Sequence, residues 1–210
     1  MCIILPLLIV PPKDHTTQHS SAMVIIRMIS YHSSLAYLGR LSSYYLELIL
    51  TELSLIVDVA SQQLQCLVNG HVQQCYTIST GANGLGEEKG SEQTPRGRHI
   101  IRAKVGAEAP LGTVFVGRRP TGEIYSEELV RAFPQRDWIL TRILWLSGLE
   151  IGKNRYGTVD TLRRYIYIHG CPDDISLGSP SSHGCVRMRN ADIVELFDRV
   201  VVGTKVHIVE

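Results

Sequence analysis

Between Tyr165 and Asn190 the chain reads YIYIHGCPDDISLGSPSSHGCVRMRN, two His-Gly-Cys triplets joined by a loop rich in Pro, Gly, Ser and Asp. The first triplet ends the alternating run Tyr165-Ile166-Tyr167-Ile168-His169, whose period of two is that of a half-buried strand. His169 is thereby delivered from a rigid strand end. The second triplet lies between the turn-forming Gly-Ser-Pro-Ser-Ser segment and a helical pattern that starts near Asn190, which places Cys185 on a loop or strand edge.

A thiol becomes a useful nucleophile only when something lowers its pKa, and a nearby imidazole is the usual means, with backbone N–H groups placed to receive the oxyanion. The stretch supplies all three parts. Gly184 lets the backbone approach a carbonyl closely, so that N–H groups around Gly184 and Cys185 can point at one atom. Free cysteines are often small buried hydrophobes, but Ser182, Gly184 and Arg187 beside Cys185 favour a nucleophile. For His183, substrate contact and a structural hydrogen bond stay open. Arg187 and Arg189 follow Cys185 at two and four residues, and either hold a peptide carboxylate or form surface ion pairs. Tyr165 and Tyr167 share the face of His169 and either line the pocket or pack. Two rival readings remain. The two His-x-Cys pairs could form a tetrahedral His2Cys2 zinc site, although the usual spacings are absent; a binding module without turnover would carry the same residues.

The motif resembles that of the L,D-transpeptidase catalytic domain family (YkuD-like): a His, a spacer, then Ser/Thr-His-Gly-Cys. Here His169, a spacer of twelve residues and Ser182-His183-Gly184-Cys185 match it, followed by Val186-Arg187-Met188, and Ser79-Thr80-Gly81 and Thr94-Pro95-x-Gly97 match further family segments. The resemblance covers residues 53–210. It implies a catalytic Cys185 and His169, with Ser182, His183, Gly184 and Arg187 forming the oxyanion and substrate-binding wall. Some members carry a Ser after the first His as its orienting partner, where this chain has Gly170. The implied activity is a peptidoglycan L,D-transpeptidase, cutting after the third residue of a tetrapeptide stem and passing the acyl group to an amine. A water acceptor would make it an L,D-carboxypeptidase. The resemblance further implies stem peptides as partners, a monomer, no cofactor, no metal, a lid over the site from within residues 106–162, and a place in the periplasm or cell envelope.

The rest of the chain agrees with a mainly β fold. Leu53–Val59 reads as a strand, and Gln63–Val68 and His71–Ser79 as a hairpin around Asn69-Gly70. An ideal two-residue hairpin would pair Cys66 with Gln73 and Leu64 with Cys75, setting Cys66 and Cys75 diagonal on one face and too far apart for easy bridging. The segment Gly81–Gly90 fails as a phosphate loop, since Glu87 and Glu88 stand where Lys and Ser/Thr are required, and reads as a flexible loop. Thr94–Gly97 is a turn feeding a strand at His99, Leu111–Val116 is a strand and Ser126–Ala132 a short helix. Trp138–Leu146 is a buried strand or a helix. Ile193, Leu196, Phe197 and Val200 give an amphipathic helix with Asn190 as N-cap, and Val206–Val209 is a last strand. With few helical crossovers, the expected architecture is a β-rich sandwich or barrel-like sheet pair with one or two helices.

Lys and Arg number 21 against 20 Asp and Glu, a net charge of +1 that gives no footprint for nucleic acid. Five cysteines form no C-x-x-C pair, which argues against a disulfide framework. Residues 1–50 read as an N-terminal extension, with an amphipathic helix over Leu35–Leu50, and residues 51–210 as the catalytic domain. MCIILPLLIV lacks a basic start and a small-residue cleavage site, so no convincing signal peptide is read there, and Met23 and Met28 are alternative starts. Charged residues break every later apolar run, which excludes a spanning helix. Because residues 1–45 lack the strand periodicity of the rest, their deletion is expected to leave a cooperative thermal transition followed by circular dichroism. Loss of soluble folded protein would refute this.

Overall fold

Asn69 and Gly70 take φ of 51° and 78°, the left-handed pair that a tight hairpin turn needs. They join β2 (Gln63–Val68) to β3 (His71–Ser79). A bulge between Cys66 and Leu67 shifts the pairing beyond the turn, so that Cys66 opposes Gln74 and Gln65 opposes Cys75. The expected register is thus corrected by one residue. A one-residue slip reverses which face a side chain meets, and Cys66 is accordingly buried while Cys75 is exposed.

The computed structural model describes residues 52–210; the helix expected at Leu35–Leu50 lies outside them. The remaining elements are β1 (Leu53–Asp58), β4 (Gly97–Val105), β5 (Thr113–Val116), β6 (Arg119–Ile124), α1 (Glu127–Ala132), β7 (Ile139–Gly148), β8 (Tyr167–Gly170), β9 (Val186–Met188), α2 (Asn190–Arg199) and β10 (Lys205–Val209). The strands pair in the order β4-β10-β1-β2-β3-β9-β8-β7, and β4 also pairs with β7, closing the sheet on itself; β5 and β6 extend it from β7. The mainly β, barrel-like expectation holds, and Trp138–Leu146 resolves as strand β7. Most pairs are antiparallel, but β1 with β10 and β8 with β9 are parallel. The second parallel pair is joined by the long Pro-Gly-Ser loop in place of a helix.

The main core lies between the strands and α2. Ile193, Leu196, Phe197 and Val200 pack with Leu55, Ile78, Ile101, Ile168, Val186 and Met188, and truncating any one large side chain here to Ala costs about 2–5 kcal/mol. Asn190 begins this helix but does not cap it. Arg189 occupies the N-cap position with no side-chain cap bond, and the buried Asn190 amide ties three elements together. Its Nδ2 donates to the Cys171 carbonyl (2.9 Å), and its Oδ1 accepts from the Thr141 hydroxyl (2.5 Å). Thr141 sits at φ 68° inside β7, where the pairing with β8 shifts between Leu140 and Ile143. A buried β-branched residue in that region is strained, and its hydroxyl, which also accepts from the Gly112 N–H at 3.0 Å, helps hold it there.

Gly170 ends β8 against this network. A Cβ on Gly170 would lie 2.6 Å from Asn190 Oδ1 and 2.8 Å from the Leu140 carbonyl oxygen, the latter fixed backbone. The alternation read over Tyr165–His169 also needs correction. Tyr165 takes φ 59° and precedes the strand, and Ile166 through Cys171 are all buried, so β8 is covered on both faces. The loop Gly81–Gly90 is tied by reciprocal bonds from Gly86 N–H to the Thr94 carbonyl (3.0 Å) and from Thr94 N–H to the Gly84 carbonyl (2.9 Å).

Two tests follow from this packing. Gly170→Ala overfills the junction of β7, β8 and α2 and is expected to lower stability by about 1–3 kcal/mol in urea unfolding; a neutral substitution would mean that the junction yields. The second concerns His99, fully buried in β4, whose Nδ1–H donates to the Gly97 carbonyl (2.9 Å). Its Nε2 lies 3.1 Å from the Thr161 hydroxyl, which also donates to the Asn154 carbonyl at 3.0 Å. Burial pushes the His99 pKa down from 6.5 to about 4. Between these values the unfolded chain binds more protons than the folded one, so stability is present at neutral pH and lost as pH falls. Acidification from pH 7 to 5 should remove about 2 kcal/mol through this group. His99→Gln, which has no group that titrates in this range, should show a shallower loss.

Candidate active site

The parallel pairing of β8 with β9 aligns Ile168 with Val186, His169 with Arg187 and Gly170 with Met188. Ile168, Val186 and Met188 enter the main core. The alternate set, Tyr167 and His169 on one strand and Cys185 and Arg187 on the next, faces the other way. There Cys185 joins a second apolar cluster built by Phe115, Ile143 and Tyr167. His169 and Cys185 thus lie on one face of the strand pair, with His169 opposite Arg187.

Cys185 Sγ is bracketed by backbone. It accepts from the Tyr167 N–H at 3.4 Å, and its S–H donates to the Tyr165 carbonyl at 3.6 Å. The left-handed conformation of Tyr165 turns that carbonyl toward the thiol. Burial pushes the thiol up to about 12, and the Asp137 carboxylate adds to this; the Tyr167 N–H, Arg187 and Arg164 pull the other way without reversing it. His169 is fully buried, and burial pulls its imidazole below the usual range. Its Nδ1–H donates to the Gly170 carbonyl at 2.8 Å, while Nε2 is buried with no partner. One tautomer is therefore selected, with the Nε2 lone pair available. The orienting partner left open by Gly170 is the main-chain carbonyl of that residue, which any side chain would supply. The glycine is required by the close approach of Asn190 and Leu140.

The His183-Gly184-Cys185 turn is held from inside and outside. The Ser182 hydroxyl donates to the Cys185 carbonyl (2.5 Å) and accepts the Gly184 N–H (3.1 Å). Gly184 takes φ 105°, and a Cβ there would lie 3.0 Å from the Gln93 carbonyl oxygen. Its own carbonyl accepts from the buried Thr94 hydroxyl at 3.0 Å. Ser182 is thus engaged in shaping the turn, and the Gly184 N–H is committed to it. The His183 and Cys185 N–H groups carry no hydrogen bond among the described residues, so both keep capacity for an oxyanion.

Asp137 is the site residue that the sequence reading missed. It lies between α1 and β7, anchored by the buried Trp138, and its Oδ1 accepts from Arg187 Nη2 at 2.7 Å while Oδ2 stands 3.6 Å from His183 Nδ1. Burial raises the Asp137 carboxyl, but His169, Arg187 and His183 around it outweigh that and hold it below the usual carboxylate range. Arg187 also donates to the Ser181 carbonyl (3.0 Å). Arg187 thus forms an ion pair with Asp137 that is buried on the arginine side and partly exposed on the carboxylate side. Arg189 points away, donating to the Asp173 carbonyl (2.6 Å). The His183 side chain is 60% exposed at the rim. No local motif marked Asp137; an acidic residue just ahead of a long apolar strand was the one available hint.

Cys171 is fully buried, its S–H donating to the Met188 carbonyl (3.3 Å), and burial pushes it up to about 11. It faces the backbone of β9, apart from the Cys185 turn. Among the described residues no three His, Cys, Asp or Glu side chains converge as metal ligands. No helix among them is long and apolar enough to cross a membrane.

The family pattern of the L,D-transpeptidase catalytic domain matches residues 53–208. The putative L,D-transpeptidase YqjB of Bacillus subtilis is 27% identical over 155 residues, 74% of this chain and 70% of that protein. The probable L,D-transpeptidase YbiS of Escherichia coli K12 is 47% identical over 47 residues, and the matched stretch spans 15% of its length. Among solved structures, an L,D-transpeptidase from Mycobacterium smegmatis aligns with a TM-score of 0.46 at 20% identity, over 76% of this chain and 59% of that one. L,D-transpeptidase 3 of Mycobacterium tuberculosis, solved with a faropenem-derived adduct, gives 0.47 at 14% identity over 76% of this chain. With three quarters of its residues matched by the family pattern, this chain belongs to the L,D-transpeptidase catalytic domain family.

Proposed function

We propose that the chain is a cysteine peptidyltransferase acting on peptidoglycan stem peptides, with Cys185 as nucleophile and His169 as general base. The observation that carries this is the parallel β8/β9 face, where a thiol and an imidazole with a free Nε2 sit on adjacent strands. Burial raises the thiol and lowers the imidazole, so the resting pair is uncharged. Proton transfer then accompanies attack in place of a preformed ion pair.

As Sγ bonds to the donor carbonyl, its proton passes to His169 Nε2 and the Cys185 N–H receives the oxyanion. Collapse breaks the C–N bond, His169 returns the proton to the leaving amine, and a thioester remains. An acceptor amine attacks it, gives its proton to His169, and Sγ departs and is reprotonated. An amine from a second stem yields a cross-link and one from a lipoprotein lysine an anchor, whereas water yields hydrolysis. This chemistry belongs in the periplasm or cell envelope. Asp137 holds Arg187 and His183 in place around the His169 imidazole, and all the steps run on protein groups.

The test combines mass and pH. Cys185→Ala should form no adduct with a tetrapeptide stem or a carbapenem, whereas Cys171→Ser should form one, because Cys171 is buried against Met188 and precedes Pro172, which has no N–H to donate. His169→Ala should cut turnover by roughly 100-fold or more. In the wild type, kcat/KM should be retained at neutral pH and fall on acidification with a midpoint below 6.5, since protonation of His169 removes the base. An adduct on Cys171, or full turnover by His169→Ala, would overturn the assignment.

A further inference from the structure

The hairpin that joins β5 to β6 turns through Gly117 and Arg118, both at positive φ (55° and 66°). This conformation carries the Arg118 side chain onto the face where Cys185 lies. Its guanidinium carbon stands 4.5 Å from the Trp145 ring centroid and 4.9 Å from that of Tyr165, and Nη1 donates to the Tyr167 hydroxyl at 2.9 Å. Tyr167 is the residue whose N–H meets the Cys185 sulfur. A cation is thus clasped by an aromatic box that also walls the nucleophile.

Arg118 forms no ion pair among the described residues, and the Tyr167 hydroxyl takes one of its several N–H donors. The other cations near the thiol are already engaged. Arg187 is paired with Asp137, and Arg164 donates to the Gly86 and Gln93 carbonyls (3.0 and 2.5 Å). An aromatic-stacked guanidinium keeps its planar edge of N–H groups free, the geometry that receives a carboxylate in two parallel bonds.

We propose that Arg118 is a specificity-determining residue, which receives a carboxylate of the acyl donor and so orients its carbonyl against Cys185. The inference rests on the proposed peptidyltransferase function and adds to it a requirement on the donor. The carboxylate has two possible sources in a stem peptide, the C-terminus of the leaving residue and an acidic side chain on the residue that is acylated. A competing role for Arg118 is structural, as a latch that holds the hairpin on Trp145 and Tyr165.

The experiment compares three donors differing in one group: a tetrapeptide stem with both carboxylates, one with a C-terminal carboxamide, and one with the third-residue side chain amidated. Wild-type enzyme should favour the first over one of the amides by about 10- to 100-fold in kcat/KM, the worth of a charge-assisted hydrogen bond pair. The amide that suffers identifies the source. Arg118→Gln should bring that ratio to within about twofold of one, and Arg118→Lys should retain part of it, since a point charge replaces the fork. If Arg118→Gln slows all donors by one common factor and keeps the wild-type ratio, Arg118 is a latch and the inference is wrong. Equal wild-type use of all three donors also overturns it while leaving the peptidyltransferase function intact. Turnover of none, with no adduct on Cys185, removes both.

Discussion

The site depends on one strand pairing. Because β8 and β9 run parallel in a fixed register, one face of the pair carries Ile168, Val186 and Met188 into the core. The other presents Tyr167, His169, Cys185 and Arg187. The aliphatic side chains bury enough surface to fix that register firmly, at about 1.5–3 kcal/mol for each large one. A slip by one residue would exchange the two faces and put a charged arginine into oil. Core packing and active-site geometry are thus the two sides of a single constraint, and Gly170, Asn190 and the strained Thr141 meet where β7 and α2 press upon it.

The sequence displayed much of this. Asn69-Gly70, the β3 span and the spacing of Ile193, Leu196, Phe197 and Val200 are local signals, and each produced the element it announced. The two triplets displayed the thiol and imidazole because strand period and turn chemistry are also local. What stayed hidden was set by long-range pairing. The Cys66 bulge moved the hairpin register, burial on both faces of β8 removed the meaning of its alternation, and the Asn190 amide was drawn into a tertiary network in place of its own helix cap. Asp137 and Arg118 reach the site from a connecting segment and a hairpin tip far from the motif. A sequence pattern cannot mark residues whose sole relation to Cys185 is spatial.

The electrostatics of the site divide into two zones. On one side Asp137 bridges Arg187 and His183, a nearly compensated group that can hold its geometry without lending strong net charge to the thiol. On the other, Arg118 stands between aromatic rings and forms no ion pair among the described residues. A paired charge is held in place and an unpaired cation attracts, so the first zone keeps its geometry while the second leaves a site with positive bias.

The backbone cradle around Cys185 has a consequence for the lifetime of the protein. Oxidants attack thiolates far faster than thiols, and sulfenic acid formation and mixed disulfides both follow thiolate character and access. With its S–H turned to the Tyr165 carbonyl and its pKa raised, the resting sulfur of Cys185 has little thiolate character. The one other cysteine near it in sequence, Cys171, is sealed against Met188. If Cys185 acts as proposed, a thiol that stays protonated at rest is spared oxidation between turnovers.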